Sequence, residues 1–191
     1  MFFVDGFNLY HSVDRVHRRQ PDVPVKWLDL HALASAHFYI LGPNASLGGV
    51  HYFTAFAEHL TQTNSDKLAR HRSYVRALTA TNVAVHFGHF KQKDIWIESL
   101  GHYERFWQEK ATDVGIVAEL FARAGKDEFD TAVIVSGDAD YAPAVPVFRD
   151  LFPNKRVVFA FPFDRKNKEL ARLAPESFTL SAESYTKHQF P

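Results

Sequence analysis

The 191-residue chain has no cysteine, no net charge and no long apolar run. The lack of cysteine excludes a disulfide scaffold, a thiolate zinc site, an iron–sulfur cluster and a cysteine nucleophile. The chain's 22 Lys plus Arg balance 22 Asp plus Glu, which excludes a uniformly basic nucleic-acid-binding surface. No apolar segment approaches the roughly 18 residues that span a membrane. With 46% hydrophobic residues, the chain can still bury a full core.

Leader and nucleotide-binding motifs are missing as well. The opening Met-Phe-Phe-Val-Asp has neither the basic region nor the long apolar region of a secretory signal peptide. The phosphate-binding patterns GxxxxGK[ST] and GxGxxG do not occur. We therefore expect a cytoplasmic protein without membrane contact, and a single domain over residues 1–191.

Short apolar runs alternate along the chain with patterns of helical period. Strands are predicted at 2–5, 50–57, 83–87, 131–135, 156–160 and 177–180, and helices at 28–40, 65–79, 113–124, 142–151 and 164–173. Thr112 and Asp164 are predicted to cap the helices that follow them. This alternation predicts an α/β fold, with helices on both faces of a mainly parallel sheet. The aromatic-rich segment around 91–107 interrupts it and is predicted to be a β-hairpin insertion.

Acidic residues occur where predicted strands end or a helix begins. Asp5 ends the first strand, Asp138 and Asp140 follow the strand 131–135, and Asp113 begins a helix. Because the carboxyl ends of parallel strands share one edge, we expect these carboxylates to lie close together. Carboxylates that lie close together repel one another, and a divalent cation removes this repulsion. Ligands that are all oxygen favour Mg²⁺ or Mn²⁺.

Each acid taken alone has a simpler interpretation. Asp5-Gly6 is compatible with a turn after an edge strand, and Asp113 with an acid that offsets the helix dipole. The sequence Ser136-Gly137-Asp138-Ala139-Asp140 is harder to explain in this way, because a turn needs only one Asp and a second acid adds repulsion. Together the acids favour a metal site suited to phosphodiester hydrolysis.

Basic residues are concentrated in the segment 67–93, which contains no acid. Arg72, Arg76, Lys91 and Lys93 are predicted to bind RNA phosphates, which would give affinity without sequence specificity. The alternative is a solvated helix face. Four exposable aromatic residues of the insertion are a candidate platform for unpaired bases, with core or dimer packing as the alternative: Trp96, Tyr103, Phe106 and Trp107. Tyr10 and Tyr141 adjoin the acids and are further candidates for stacking on a base.

Three motifs, in this order and spacing, resemble those of the NYN domain family, a branch of the PIN-like ribonucleases. They are Val4-Asp5-Gly6-Phe7-Asn8-Leu9, Glu109-Lys110-Ala111-Thr112-Asp113-Val114-Gly115-Ile116 and Val135-Ser136-Gly137-Asp138-Ala139-Asp140-Tyr141-Ala142-Pro143. The resemblance covers roughly residues 2–180 and is greatest to the LabA-like subgroup. It implies a PIN-like Rossmannoid three-layer sandwich and RNA cleavage that depends on Mg²⁺ or Mn²⁺.

The resemblance also implies roles for single residues. The catalytic and metal-binding acids would be Asp5, Asp113, Asp138 and Asp140. Asn8 would orient the site or contact a phosphate, and Ser136 would support the acidic loop. Apart from the resemblance, the position of Lys110 beside the acids predicts that it balances their charge or holds a phosphate; the alternative is a surface lysine paired with Glu. Glu119 stands where family members often have a second Asp, but it lies about 120° around the helix from Asp113 and is expected to be peripheral.

The predicted function is a metal-dependent endoribonuclease that cleaves single-stranded or structured RNA by in-line attack of water. The products would carry 5′-phosphate and 3′-hydroxyl ends. The alternative is a catalytically weak RNA-binding or regulatory module on the same fold, in which the acids hold a structural ion. A haloacid-dehalogenase phosphatase is disfavoured, since Phe7 and Ala142 occupy the positions of two acids that it needs. Whether the chain forms a homodimer is left open.

Overall fold

Six parallel strands form the central sheet of the computed structural model, which describes residues 1–61 and 64–191. The strands of the chain are β1 (Phe2–Asp5), β2 (Val50–Thr54), β3 (Val83–Phe87), β4 (His89–Ile97), β5 (His102–Lys110), β6 (Thr131–Val135), β7 (Arg156–Phe161) and β8 (Phe178–Thr179). The sheet has the order β3-β2-β1-β6-β7-β8, and each neighbouring pair is parallel. The predicted α/β class with a parallel central sheet is confirmed.

Helices cover both faces of this sheet. They are α1 (Gly6–Arg19), α2 (Leu30–Ser35), α3 (Ser65–Ala80), α4 (Thr112–Gly125), α5 (Ala144–Leu151), α6 (Lys168–Leu173) and α7 (Ala182–Lys187). Buried side chains of α1, α2, α3 and α7 form one core, and those of α4, α5 and α6 form the other. The three layers follow from two apolar sheet faces that both have to be covered. Within residues 1–61 and 64–191, no helix is long and apolar enough to cross a membrane.

The pleat of β1 decides which layer its last side chain faces. Phe2 and Val4 pack in the core of the α1 layer, whereas Phe3 packs in the core of the α4 layer. Because successive side chains of a strand alternate between faces, Asp5 follows Phe3 to the α4 side. The same alternation in β6 places Ser136 on that side, after Ile134.

The connections of the sheet reverse direction between β1 and β6. From β1 the chain continues to β2 on one side, while β6 pairs with β1 on the other side. In open parallel sheets, the carboxyl ends of the strands at such a switch form a crevice that binds ligands. Asp5 and Ser136 stand at the two ends that border this crevice.

A two-stranded antiparallel hairpin, β4–β5, lies outside the sheet and contains the segment 91–107. It begins at His89, one residue after β3, and ends at Lys110, one residue before α4. Its position brings the hairpin to the carboxyl edge of the sheet. That the whole chain forms one domain stays a prediction.

Several helix predictions need correction. α1 was not predicted, because the buried polar residues Asn8 and Ser12 interrupt its apolar stripe. The predicted helix 28–40 is α2 followed by a short 3-10 helix at Phe38–Leu41. Asn167, and not Asp164, caps α6, since its side chain accepts bonds from the Glu169 and Leu170 amides. α7 was also missed.

Candidate active site

Asp5 is buried at the carboxyl end of β1, and both of its carboxylate oxygens are bonded. Oδ1 accepts a hydrogen bond from the Asn8 amide at 2.9 Å and thereby caps α1. Oδ2 accepts one from the Ser136 hydroxyl at 2.9 Å. Burial raises the pKa of the Asp5 carboxyl to about 6, against these two hydrogen bonds, and the charges of Asp113 and Asp138 raise it further. The site therefore holds Asp5 firmly and disfavours its charge.

Ser136 and Asn8 link Asp5 to the loop after β6. The Ser136 hydroxyl oxygen accepts a bond from the Asp138 amide at 3.1 Å while it donates to Asp5. The Asn8 Oδ1 atom accepts bonds from the Gly137 amide at 3.0 Å and from Arg165 Nε at 2.9 Å. Ser136 thus bridges Asp5 and the Asp138 amide, and Asn8 bridges Gly137 and Arg165. The supporting role of Ser136 stays a prediction. A contact of Asn8 with phosphate stays a prediction.

Arg165 is a member of the site that the sequence did not reveal. Its backbone lies so close to Gly137 that a Cβ at position 137 would stand 1.9 Å from the Arg165 carbonyl oxygen. Only glycine fits there. The one indication in the sequence was that Arg165 follows β7 closely and so lies at the same edge of the sheet. It was missed because the segment was predicted to be a helix.

Asp113 lies in the first turn of α4, half-buried, and accepts a hydrogen bond from the Tyr141 hydroxyl at 2.8 Å. The Tyr141 oxygen is also 3.4 Å from Asp5 Oδ2 and connects the two acids. Burial and the neighbouring carboxylates raise the pKa of the Tyr141 hydroxyl far above its usual range, so it stays a proton donor. Tyr141 is 1% exposed, so the prediction that it stacks on a base is wrong.

Asp138 and Asp140 occupy a single turn of 3-10 helix after β6. Asp138 caps this turn, with Oδ1 accepting a bond from the Asp140 amide at 3.1 Å. Asp140 is exposed. Burial raises the pKa of Asp113, and the charges of Asp138 and Asp140 add to the rise, against the Tyr141 bond. The four predicted acids are therefore electrostatically coupled at one edge.

Glu109 is a fifth acid at this edge, to which the sequence assigned no role. It lies at the end of β5, and its Oε1 accepts hydrogen bonds from the amide and the hydroxyl of Thr112. Burial raises the pKa of Glu109 to about 7, and the charges of Asp113 and Asp5 contribute. The motif that contains Glu109 was the available signal.

The turn between β5 and α4 places Asp113. Ala111 adopts φ 75°, a left-handed conformation that is uncommon for a residue with a side chain. α4 begins directly after it at Thr112, which is therefore the first helical residue and not the predicted cap. Lys110, the last residue of β5, is exposed beside Glu109.

The acids at this edge are candidate ligands for a divalent cation. Carboxylate oxygens are the ligands that Mg²⁺ and Mn²⁺ prefer. Burial is the main cause of the raised pKa values of Asp5 and Asp113, and a cation would offset the repulsion between carboxylates that adds to the rise. Within residues 1–61 and 64–191, however, no three His, Asp or Glu side chains are grouped closely enough to hold an ion as they stand. The chemistry of the acids fits such a cation, but their side chains are not preassembled around one.

The predicted RNA-binding residues lie on α3 and β4. Arg72 is 3.5 Å from Glu58 and covers the Phe56 ring, and Arg76 donates to Ser73 on its own helix. Lys91 and Lys93 are exposed on one face of β4. RNA contact by these four side chains stays a prediction.

Two other sequence interpretations can be compared with the structure. Glu119 lies away from the acids, with Oε2 2.9 Å from Arg123 Nε, as expected of a peripheral residue. The four aromatic residues of the hairpin are exposed, so the core alternative is wrong for them: Trp96, Tyr103, Phe106 and Trp107.

Comparisons with known proteins agree with the fold. Among solved structures, a protein of unknown function from Vibrio parahaemolyticus RIMD 2210633 is similar, with a TM-score of 0.56 and 18% identity. The match covers 94% of this chain and 91% of that one. No curated protein sequence matches. The sequence model of the NYN domain matches residues 1–181. The LabA-like placement stays a prediction, but with nearly its whole length matched the chain belongs to the NYN domain family of the PIN-like nuclease superfamily.

Proposed function

We propose that the chain is an endoribonuclease that depends on Mg²⁺ or Mn²⁺ and acts on cytoplasmic RNA. The observation that carries the proposal is the linkage of Asp5, Asp113 and Asp138 at the switch point of the sheet, through Ser136 and Tyr141. Family membership supports a nuclease, and the acids supply the donor type that the family's chemistry needs.

Asp5, Asp113 and Asp138 are the residues that would hold the cation, directly or through water. A cation bound there would polarise the scissile phosphate and lower the pKa of an attacking water. Asp140, exposed beside the other acids, is placed to ligate the cation or to accept a hydrogen bond from that water. Arg165 and the Gly137 amide fix Asn8, which in turn keeps the loop of Asp138 in place.

The reaction is a hydrolysis. The water oxygen forms a bond to phosphorus, the bond from phosphorus to the 3′ oxygen breaks, and the leaving oxygen takes up a proton. The products carry 5′-phosphate and 3′-hydroxyl ends. Lys110 is exposed at the end of β5 and is placed to hold a phosphate oxygen near Glu109.

One observation favours a second candidate, an RNA-binding or regulatory module with weak catalysis. Among the described residues, no three His, Asp or Glu side chains are grouped closely enough to hold an ion. A chain in which this arrangement persists would bind RNA without cutting it.

Cleavage of labelled single-stranded RNA with Mn²⁺, Mg²⁺ or EDTA distinguishes the two candidates. We expect cleavage that requires the metal and is lost in Asp5→Asn and Asp138→Asn. Both variants should stay folded, because each removes a charge from a repulsive cluster. Asp22→Asn, an exposed acid away from this edge, is the matched control and should cleave normally. RNA binding without cleavage would favour the second candidate.

A further inference from the structure

A cavity of about 540 Å³ opens on the α1–α3 side of the same sheet edge. We call it the helix cavity. Its walls come from the start of α1, the end of β2, the first half of α3 and the hairpin. Its aromatic and basic lining residues include Tyr10, Trp27, His59, Lys67, Arg70 and Phe90. The volume is within the range of small-ligand sites, about 300–1,000 Å³. The metal and acid chemistry proposed above does not use it.

The walls are aromatic and carry polar atoms. The Tyr10 ring is 47% exposed, with Lys67 Nζ 5.5 Å from its centre, and Trp27 lies edge-on to Tyr74. His59 stacks on Trp107, with centroids 4.6 Å apart. Among the described residues, His59 Nδ1 is a buried nitrogen without a hydrogen-bond partner. Such a lining suits a flat aromatic ligand with hydrogen-bonding edges.

The charge of the cavity is positive. Lys26, Lys67 and Arg70 line it, and in the described part of the chain none of the three forms an ion pair. The single acid of the lining, Asp14, is already paired with Arg18 at 2.8 Å. An anionic group on the ligand would therefore find unpaired cations.

The hairpin joins this cavity to the acidic edge. Phe90 lines the cavity, 5.7 Å from the Phe7 ring, and its partner across the hairpin is Glu109. Opposite residues of an antiparallel pair lie about 5 Å apart. Gly6, the residue after Asp5, also lines the cavity. The helix cavity and the acids are therefore two sides of one edge.

We propose that the helix cavity binds one nucleotide of a single-stranded RNA, its base against the aromatic rings and its phosphate at Lys67 and Arg70. The inference rests on the proposed function, since it takes RNA as the ligand and lets the strand cross the edge toward Asp5. A base is free to enter such a cavity only when it is unpaired, so the bases of duplex RNA cannot occupy the helix cavity. A free mononucleotide has the same chemistry and is separated by the test.

The test measures the binding of a fluorescein-labelled single-stranded RNA in EDTA, over a series of salt concentrations. Tyr10→Ala should weaken binding about tenfold, as loss of one stacking partner does. Lys67→Ala should weaken it and lower the slope of log affinity against log salt by about 1. Tyr39→Ala and Lys126→Ala remove an exposed ring and an exposed charge elsewhere and should change nothing. Melting curves verify that the variants are folded.

Two further ligands distinguish a nucleotide within an RNA strand from a free mononucleotide. The same strand in a duplex should bind without sensitivity to Tyr10→Ala, and AMP or UMP should compete only weakly. Mononucleotide binding that depends on Tyr10, without RNA binding, would overturn the RNA assignment. Equal binding of RNA by Tyr10→Ala, Lys67→Ala and the controls would overturn the proposal altogether.

The outcome is independent of turnover. Cleavage lost in Asp138→Asn, together with cavity variants that bind RNA normally, would refute the cavity and retain the nuclease. Binding that depends on the cavity, in a protein that never cleaves, would retain the cavity and refute the nuclease.

Discussion

The hydroxyl of Tyr141 connects the two acids Asp5 and Asp113. It donates to Asp113 at 2.8 Å and lies 3.4 Å from Asp5, so one proton serves two carboxylates. Hydrogen bonds to charged groups contribute about 1.5–3 kcal/mol, which is more than neutral ones contribute. Because Tyr141 is 1% exposed, it acts through these acids and is a positioning residue.

Tyr141→Phe should therefore keep the fold and lower the rate of RNA cleavage about ten- to a hundredfold. Loss of the donor should raise the pKa of Asp113 and move the acid limb of the pH–rate profile to higher pH. Tyr185→Phe is the control: this buried hydroxyl bonds to Ser12 and to the Phe163 amide. An equal loss of rate in both variants would contradict the role of Tyr141.

Asp5 gives the stability of the metal-free protein a dependence on pH. Its pKa is raised from 3.8 to about 6, so the folded state favours the neutral carboxyl. The stability that the neutral Asp5 carboxyl gives the folded state is fully present below pH 3.8 and is lost as the pH rises through about 6. The loss amounts to about 3 kcal/mol.

Asp5→Asn replaces the carboxyl with an amide, which does not ionise in this pH range. In EDTA its melting temperature should exceed that of the wild type increasingly from about pH 4 to about pH 7. Melting curves recorded in steps across this interval measure the difference. A difference in melting temperature between the two proteins that stays constant with pH would contradict a buried environment that disfavours the charged form of Asp5.

At the scale of elements, the site depends on close contact between two loops. The loop after β6 meets the loop after β7 where Gly137 touches the Arg165 carbonyl oxygen. Any side chain at position 137 has to push this backbone away and take Asp138 with it.

Gly137→Ala should lower the free energy of unfolding by about 1–3 kcal/mol. Each kcal/mol lost should lower the melting temperature by about 2–4 °C. Gly125→Ala, at the end of α4, meets nothing within 4 Å and should be neutral or stabilising by up to about 1 kcal/mol. Thermal melts of the two variants measure this contrast. Similar effects would mean that the loops are not in contact.

The sequence allowed the sheet and the acidic edge to be predicted, and the reason is topological. Apolar runs of strand length identify parallel strands, and Asp5 and Asp138 directly follow two of them. The rest depended on tertiary contacts. Tyr141 next to Asp140 is equally compatible with a base platform or a buried donor, and only its 1% exposure decides. Arg165 reaches Asn8 across 157 residues of chain, which no local pattern encodes.

At the scale of the whole molecule, the zero net charge conceals one edge where acids are gathered. A divalent cation that binds the folded state alone stabilises it by mass action, by about 2.7 kcal/mol at a hundred times its Kd. Mn²⁺ should therefore raise the melting temperature relative to EDTA by roughly 5–10 °C. Asp138→Asn should lose most of this shift, and Asp22→Asn should retain it. A shift of the same size in Asp138→Asn would place the cation elsewhere.

The hydrogen bond between Ser136 and Asp5 closes a loop of 131 residues. During synthesis β1 is made at the start, whereas β6 begins at residue 131 of 191. Until then Asp5 has neither its hydroxyl donor nor the acids Asp138 and Asp140 beside it. The acidic edge therefore assembles only after β6 has been made, and any activity that depends on it begins late in the synthesis of the chain.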